Sequence, residues 1–300
     1  MSAVGTPAVS TAPAPVNSEP GLRQRRDPTS MVRTILAALL AAAFSLPVAW
    51  ILINSFRPNQ DILSSLSPLS WSLFVPSRLT FDNYTGLLLE GGFSRALLNS
   101  LVVSVFSVLL GLIVSTLAAY ALSVFTFPGR NAVFALVVIS FLVPFEAIAI
   151  PLSQQFTDWG LGNTLIGLIL PGIGNGLAIF NLRQHFLSIP PSYREAAMLD
   201  GASEPRIVMS VFVPMSGAAL MNSALLIFLG QWTAYLWPLL LISENELQVA
   251  PIALALTFGE RSADYGQNFA GSILLALLPA LVLFVLQRFF GRISLSSGEK

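Results

Sequence analysis

The chain contains no cysteine, so disulfides and thiol chemistry are excluded and its redox compartment leaves no trace. It has one histidine, His185, too few for a multi-histidine metal site. Its one lysine, Lys300, has no Ser or Thr after it, so a Gly-x4-Gly-Lys-Ser/Thr phosphate loop is not available. Charge is scarce as well: only 10 % of residues are charged, and fifteen basic side chains cancel fifteen acidic ones. Such a balance points to neither nucleic acid nor an acidic partner. With no cysteine, one histidine and no clustered carboxylates in its apolar segments, the chain offers no catalytic constellation, and an enzyme is not expected.

What fills the chain instead is apolar sequence, 54 % of it hydrophobic. A spanning helix needs about 20 mostly apolar residues. Six stretches qualify, at 32–56, 96–124, 131–153, 164–187, 214–242 and 268–290, and predict an all-α integral membrane protein. Residues 1–30 are rich in Ala, Pro, Ser and Thr and predict a disordered tail. The run after Arg23, Arg25 and Arg26 exceeds a signal-peptide core of about 7–15 residues, so it reads as a retained first span. A transmembrane domain over 31–293 and a short tail at 294–300 complete the division.

Basic residues set the orientation. With the N-terminus cytoplasmic, that side carries eleven: Arg23, Arg25, Arg26, Arg33, Arg130, Arg183, Arg194, Arg206, Arg288, Arg292 and Lys300. The outer side carries four: Arg57, Arg78, Arg95 and Arg261. Both termini are then cytoplasmic, in a multi-pass membrane protein. The outer loop 57–95 includes a helix start at Thr80-Phe81-Asp82-Asn83-Tyr84, and the outer loop 243–267 carries Glu244, Glu246, Glu260 and Asp264.

The polar island at 190–213 lies between two spans on the cytoplasmic side. Ser192 and Glu195 have capping-box spacing, and Gly201 suits the left-handed position after a helix. Tyr193, Ala196 and Ala197 share a helical face, and Ser203-Glu204-Pro205 has the form of a second helix start. The island then closes on Pro214. The pattern is Glu195-Ala196-Ala197, three residues, Gly201, nine residues, then Val211-x-Val213-Pro214.

This pattern resembles the loop signature of the membrane subunits of binding-protein-dependent, ATP-driven importers. Val211 and Val213 stand where that pattern usually has isoleucine and leucine, and Asp200 before Gly201 resembles the carbohydrate-importing branch. The likeness extends over about 35–290, through Asp82-Asn83-Tyr84, Leu98-Asn99-Ser100, Ala118-Ala119-Tyr120-Ala121-Leu122, Phe127-Pro128-Gly129-Arg130 and Trp237-Pro238-Leu239. The order follows the shorter, six-span permease of maltose-type systems, with a type I importer fold. The ending Ile293–Lys300 departs from the family's glycine-rich basic terminus.

The resemblance implies a two-helix coupling loop whose ATPase-coupling residues are Glu195, Ala196, Ala197, Asp200, Gly201 and Pro214. It implies a bacterial cell membrane, a second permease subunit, two cytoplasmic ATPase subunits or domains, an extracytoplasmic binding protein and a carbohydrate substrate. ATP and Mg would be used by the partner ATPase, with no cofactor bound by this chain. For the substrate path, Glu146 is the one acid well inside an expected span; it reads either as an acceptor for sugar hydroxyls or as an acid reaching the outer interface. Gln231, Trp232 and Tyr235 form a polar-aromatic set in the fifth span, suited to sugar hydroxyls and apolar sugar faces or to an interfacial belt. Asn99, Asn181 and Asn222 read as weaker path candidates or as bridges between helices. Two alternatives remain: a permease of the same family for a non-sugar solute, and a stand-alone secondary transporter, which would need several intramembrane ionisable groups.

Overall fold

The structure is a computed structural model that describes residues 28–66, 76, 78–257 and 264–296. The expectations for 1–27, for the end of the C-terminal tail, and for Glu260 and Arg261 lie outside these residues. Among the described residues all regular structure is helical. The contact pattern divides the chain into two units, up to Val48 and from Ala49 onward. The first consists, among its described residues, of the greater part of helix α1 (Pro28–Ser55). From Met31 this helix is apolar enough to cross a bilayer, and Pro47 lies inside it without ending it.

The second unit begins with the last turns of α1, followed by α2 (Asn59–Leu66). Arg57 is counted above as an outer-side charge, yet its side chain is 1 % exposed. Its Nη1 donates to Asn54 Oδ1 (2.9 Å) and its Nη2 to the Asp61 carbonyl (3.1 Å). Helix α3 (Asp82–Thr85) starts where the sequence predicts, with the Asp82 N–H donating to Thr80 Oγ1. Asn83 Nδ2 ties it back to the carbonyls of Ser55 and Arg57, both at 2.8 Å. A π-helical turn, Gly86–Glu90, leads to α4.

Helix α4 (Phe93–Val124) organises this unit. Small side chains recur along it, and Ser100, Ser104, Ser107, Gly111 and Ser115 are all buried. Their small volume lets other backbones approach, the packing that helices need where lipid gives no hydrophobic drive. The stripe is a helix–helix seam, as its spacing suggests.

The third expected span is sharply broken, whereas the fourth is only locally interrupted and still counts as one stretch long enough to cross, Leu165–Phe186. Residues 131–153 form α5 (Arg130–Leu142) and α6 (Phe145–Asp158), which meet at 97°. Pro144 precedes α6, where its missing N–H costs nothing and its ring bars continuation of α5. The fourth span is α7 (Leu165–Ile173) and α8 (Gly176–Phe186), separated at Gly174, with Asn175 Oδ1 accepting the Ala178 N–H (2.9 Å). Helices α7 and α8 both pack on α4.

After the polar island come α11 (Val213–Met215), α12 (Gly217–Trp232) and α13 (Leu236–Leu241). Helix α12 also lies on α4. Helices α14 (Ala250–Thr257) and α15 (Tyr265–Ser296) complete the chain. Four helical stretches are long and apolar enough to span, and six if each of two sharply bent pairs counts as one. The expected straight spans therefore become a mixture of long rods and broken segments.

Three apolar clusters hold the second unit together. One gathers Val103, Phe156, Leu168, Trp237 and Ile252; a second gathers Leu87, Phe93, Ala250 and Leu254. The third gathers Ala119, Tyr120, Leu182, Phe186, Ile207 and Phe212, and lies under the polar island.

Candidate functional site

The island opens with α9 (Pro191–Leu199). The expected capping box is not formed. Pro191 takes the first helical position, Pro190 is the N-cap, and no side chain caps the end, so Ser192 lies two residues inside the cap position. The other end matches expectation. Gly201 has φ 75°, its N–H donates to the Met198 carbonyl, and the Ala202 N–H donates to the Ala197 carbonyl, each at 3.0 Å. This pair of bonds is a Schellman closure, and it turns the chain sharply after Asp200.

Helix α10 (Glu204–Ile207) follows, with Ser203 as N-cap and Pro205 in its first turn. It runs into a π-helical turn, Val208–Phe212, and then α11, with Ser216 buried at the bend into α12. The island is thus two short helices joined by a tight glycine turn, as the sequence predicts.

Its faces divide by polarity and contact. Ala197 packs inward against the buried cluster, while Glu195, Ala196, Asp200, Gly201 and Pro214 are exposed. The expected common face of Tyr193, Ala196 and Ala197 is therefore split. Apolar side chains also project outward: Leu199 is 89 % exposed, with its neighbour Met198, and Tyr193 in the first turn, about half exposed. Large apolar groups held in solvent on a short, well-terminated helix are a feature of interaction surfaces.

Underneath, Phe212 meets Tyr120 and Phe186 edge-on, with ring centroids 4.8 and 5.3 Å apart. A polar knot joins this contact. The Tyr120 hydroxyl donates to a carboxylate oxygen of Glu204, and the Arg194 guanidinium pairs with the same carboxylate. The Arg194 guanidinium carbon lies 5.8 Å from the Phe125 ring centroid. The bond from Arg194 holds the Glu204 carboxyl below the usual carboxylate range, and Glu204 in turn raises Arg194. Tyr120, Arg194 and Glu204 are absent from the site residues expected from sequence. The one available signal was an acid in the first turn of α10, which names no partner 84 residues away.

The path candidates are dispersed. Glu146 is exposed in the first turn of α6, immediately after the 97° break, rather than inside a continuous span. Gln231 Nε2 donates to Ser107 Oγ (2.7 Å) and to the Leu168 carbonyl (3.2 Å), joining α12 to α4 and α7. Trp232 is 2 % exposed and its Nε1 donates to the Leu275 carbonyl of α15 (2.9 Å). Tyr235 is about half exposed, between α12 and α13. Consecutive residues of a helix diverge by about 100°, so the amide and the indole serve different neighbours and the three do not form one cluster.

Trp237 is buried and donates to the Gly167 carbonyl (3.1 Å). Asn181 Nδ2 donates to the Ala219 carbonyl and to Ser223 Oγ, and Asn222 Nδ2 to Asn181 Oδ1, so these asparagines bridge α8 and α12.

Fold and loop together define a multi-pass, all-helical membrane protein with a polar two-helix element between two of its apolar segments. The chain matches the family described as "Binding-protein-dependent transport system inner membrane component" over residues 97–294, and it belongs to that family. It is 34 % identical to the arabinooligosaccharides transport system permease protein AraQ of Halalkalibacterium halodurans over 263 residues, 87 % of this chain and 93 % of that one. It is 33 % identical to the osmoprotective compounds uptake permease protein GgtD of Synechocystis sp., covering 88 % of this chain and 90 % of that one. In fold it is similar to a chain of the crystal structure of a bacterial ABC transporter involved in import of the polysaccharide alginate, with a TM-score of 0.77 at 24 % identity, covering 87 % of this chain and 96 % of that one. The family read from residues 192–214 is the family found, and it is one of membrane permeases.

Proposed function

We propose that this permease forms half of the translocation path of an ATP-driven carbohydrate importer and receives the ATPase stroke through residues 190–214. The observation that carries the proposal is the exposed end of α9. Tyr193, Met198 and Leu199 stand in solvent on a helix closed by Gly201, while the other side of the loop is fixed to α4 through Glu204. A groove in a cytoplasmic ATPase would cover those apolar groups. A second permease subunit would complete the path, an extracytoplasmic binding protein would deliver the cargo, and ATP and Mg would be held by the ATPase alone. The arginine bias supports cytoplasmic termini and a cytoplasmic loop. Closure of the ATPase pair would then drive alternating access.

Glu146 supports a path role best among the four candidates, being an exposed carboxylate at a helix break. Gln231 and Trp232 read as helix ties, because both side chains make their hydrogen bonds within the subunit.

A carbohydrate cargo is supported by the sugar-named relative, and a non-sugar solute by the relative named for osmoprotective compounds. ATPase activity of the reconstituted assembly, with its binding protein and a panel of sugars and small osmolytes, separates the two. Stimulation by a sugar supports the first reading. Stimulation by osmolytes alone transfers the cargo to the second and leaves the importer standing. Import that persists without ATP hydrolysis, driven by an ion gradient, would overturn both.

A further inference from the structure

We infer that Glu204, held between Tyr120 and Arg194, is a positioning residue that converts displacement of the loop into displacement of α4, and that α4 carries this motion to the outer loop at 243–249. The inference rests on the importer reading and names the transmission route within it.

The inner end of α4 is where the loop meets polar bonds. Ile207, Val208 and Phe212 bury apolar surface against it, but such contacts are non-directional and permit sliding. The Glu204 carboxylate supplies direction, because it binds a hydroxyl of α4 and a guanidinium of α9 at once. The last turn of α4 is anchored further. Its Leu122 carbonyl accepts from Arg130 Nε (2.8 Å) and Arg183 Nε (3.1 Å), and its Ser123 carbonyl accepts from Arg130 Nη2 (3.1 Å). Arg183 also lies 3.8 Å over the Phe134 ring. Helices α5, α8, α9 and α10 thus all fasten to one helix end.

The outer end of α4 is fastened in the same manner to one loop. Asn99 Nδ2 donates to the carbonyls of Glu246 and Gln248, both at 2.9 Å. Ser100 Oγ accepts the Ala250 N–H (2.8 Å), and Arg95 pairs with Glu246 at 3.0 Å. Between the two ends, α4 has 32 residues and no internal proline. At ~1.5 Å per residue it is a rod of about 48 Å. A stiff rod with directional bonds at both ends transmits translation, and the neighbouring pair α5–α6, bent by 97°, cannot do so equally well.

The test uses the complete assembly, with partner permease, ATPase and binding protein, in liposomes. Its readout is solute imported per ATP hydrolysed. Tyr120→Phe removes one oxygen and keeps the ring contacts with Phe125 and Phe212; Glu204→Gln keeps the shape and removes the charge. Each is expected to lower the import-to-hydrolysis ratio about 5- to 10-fold, at the low end of typical allosteric couplings, with the ATPase still co-purifying. The double variant is expected to be no worse than the poorer single one, since both cut the same link. At the far end, Asn99→Ala is expected to lower the same ratio.

Full additivity of the inner pair, or an unchanged ratio in Tyr120→Phe, would overturn the inference. So would an unchanged ratio in Asn99→Ala. If Glu204→Gln does not assemble, Tyr120→Phe and Asn99→Ala decide the matter alone. Failure of the importer reading has a different signature: the unmodified assembly would then show no import dependent on ATP.

Discussion

Gln231 and Ser107, 124 residues apart in the chain, meet at 2.7 Å where α12 crosses α4. The amide can reach that hydroxyl because Gly172 leaves room. A Cβ at Gly172 would fall 2.5 Å from Gln231 Nε2 and 3.2 Å from Ser107 Cβ. Gln231→Ala removes the bonds to Ser107 and to the Leu168 carbonyl, and is expected to cost about 1 kcal/mol, two interhelical bonds of about 0.6 kcal/mol each. Gly172→Ala displaces the same amide and should lower the unfolding temperature similarly. Thermal unfolding in detergent checks both. A Gln231→Ala variant with unchanged stability and altered uptake KM would return this residue to the substrate path.

Such pairs mark the limit of what the chain reveals when read alone. The Gly201 turn and the start at Asp82 were legible because each rests on local chemistry, a φ that suits glycine and an acid in a first helical turn. Apolar length located every rod. Where helices break was less legible. Pro47, Pro151, Pro171 and Pro279 all lie inside helices, whereas the interruption between α12 and α13 falls at Thr233, Ala234 and Tyr235, with no proline. The capping box misled because two motifs competed for one end, and Pro191 took it. Glu204 and Tyr120 were out of reach for a different reason. Their pairing depends on how α10 returns onto α4, and no spacing rule encodes that return.

At Gly201 the backbone alone decides the outcome. A Cβ there would meet nothing within 4 Å, so any effect of substitution comes from φ 75° and not from a clash. Gly201→Val is expected to cost about 1–2 kcal/mol of left-handed strain and to reorient α9 against α10. Asparagine adopts this conformation more readily, so Gly201→Asn should retain most function. ATPase co-purification and the ratio of import to hydrolysis should fall in the valine variant and hold in the asparagine one. Equal loss in both would show that bulk, not conformation, matters at the turn.

The Glu204–Arg194 pair makes a prediction about pH. Because Arg194 holds the Glu204 carboxyl below its ordinary value, the stabilisation from this pair is fully present above the unfolded carboxylate range, about 4.3. It is lost only as pH falls through the still lower folded value. Coupling of import to hydrolysis should therefore not change between pH 6 and 8 on account of this pair. In Glu204→Gln the charge is gone, and any pH dependence of coupling common to both proteins must come from elsewhere. A coupling ratio that declines toward pH 6 only in the unmodified protein would contradict the depressed carboxyl.

Leu199 offers the sharpest separation of stability from docking. Its side chain is 89 % exposed, so its removal takes almost nothing from the folded subunit, within about 0.5 kcal/mol. If an ATPase groove covers it, that apolar surface is buried only in the complex, where a leucine contributes about 1.5–3 kcal/mol. Leu199→Ala should therefore leave the unfolding temperature of the isolated subunit unchanged and weaken ATPase binding by roughly 10-fold, since each 1.4 kcal/mol is a factor of ten. Leu199→Asp should weaken it further, because a carboxylate would have to be desolvated in the same groove. Titration of purified ATPase onto the permease in nanodiscs gives the Kd directly. Full-strength binding by the aspartate variant would mean that the ATPase grips the loop elsewhere, and the exposed end of α9 would then need a different partner.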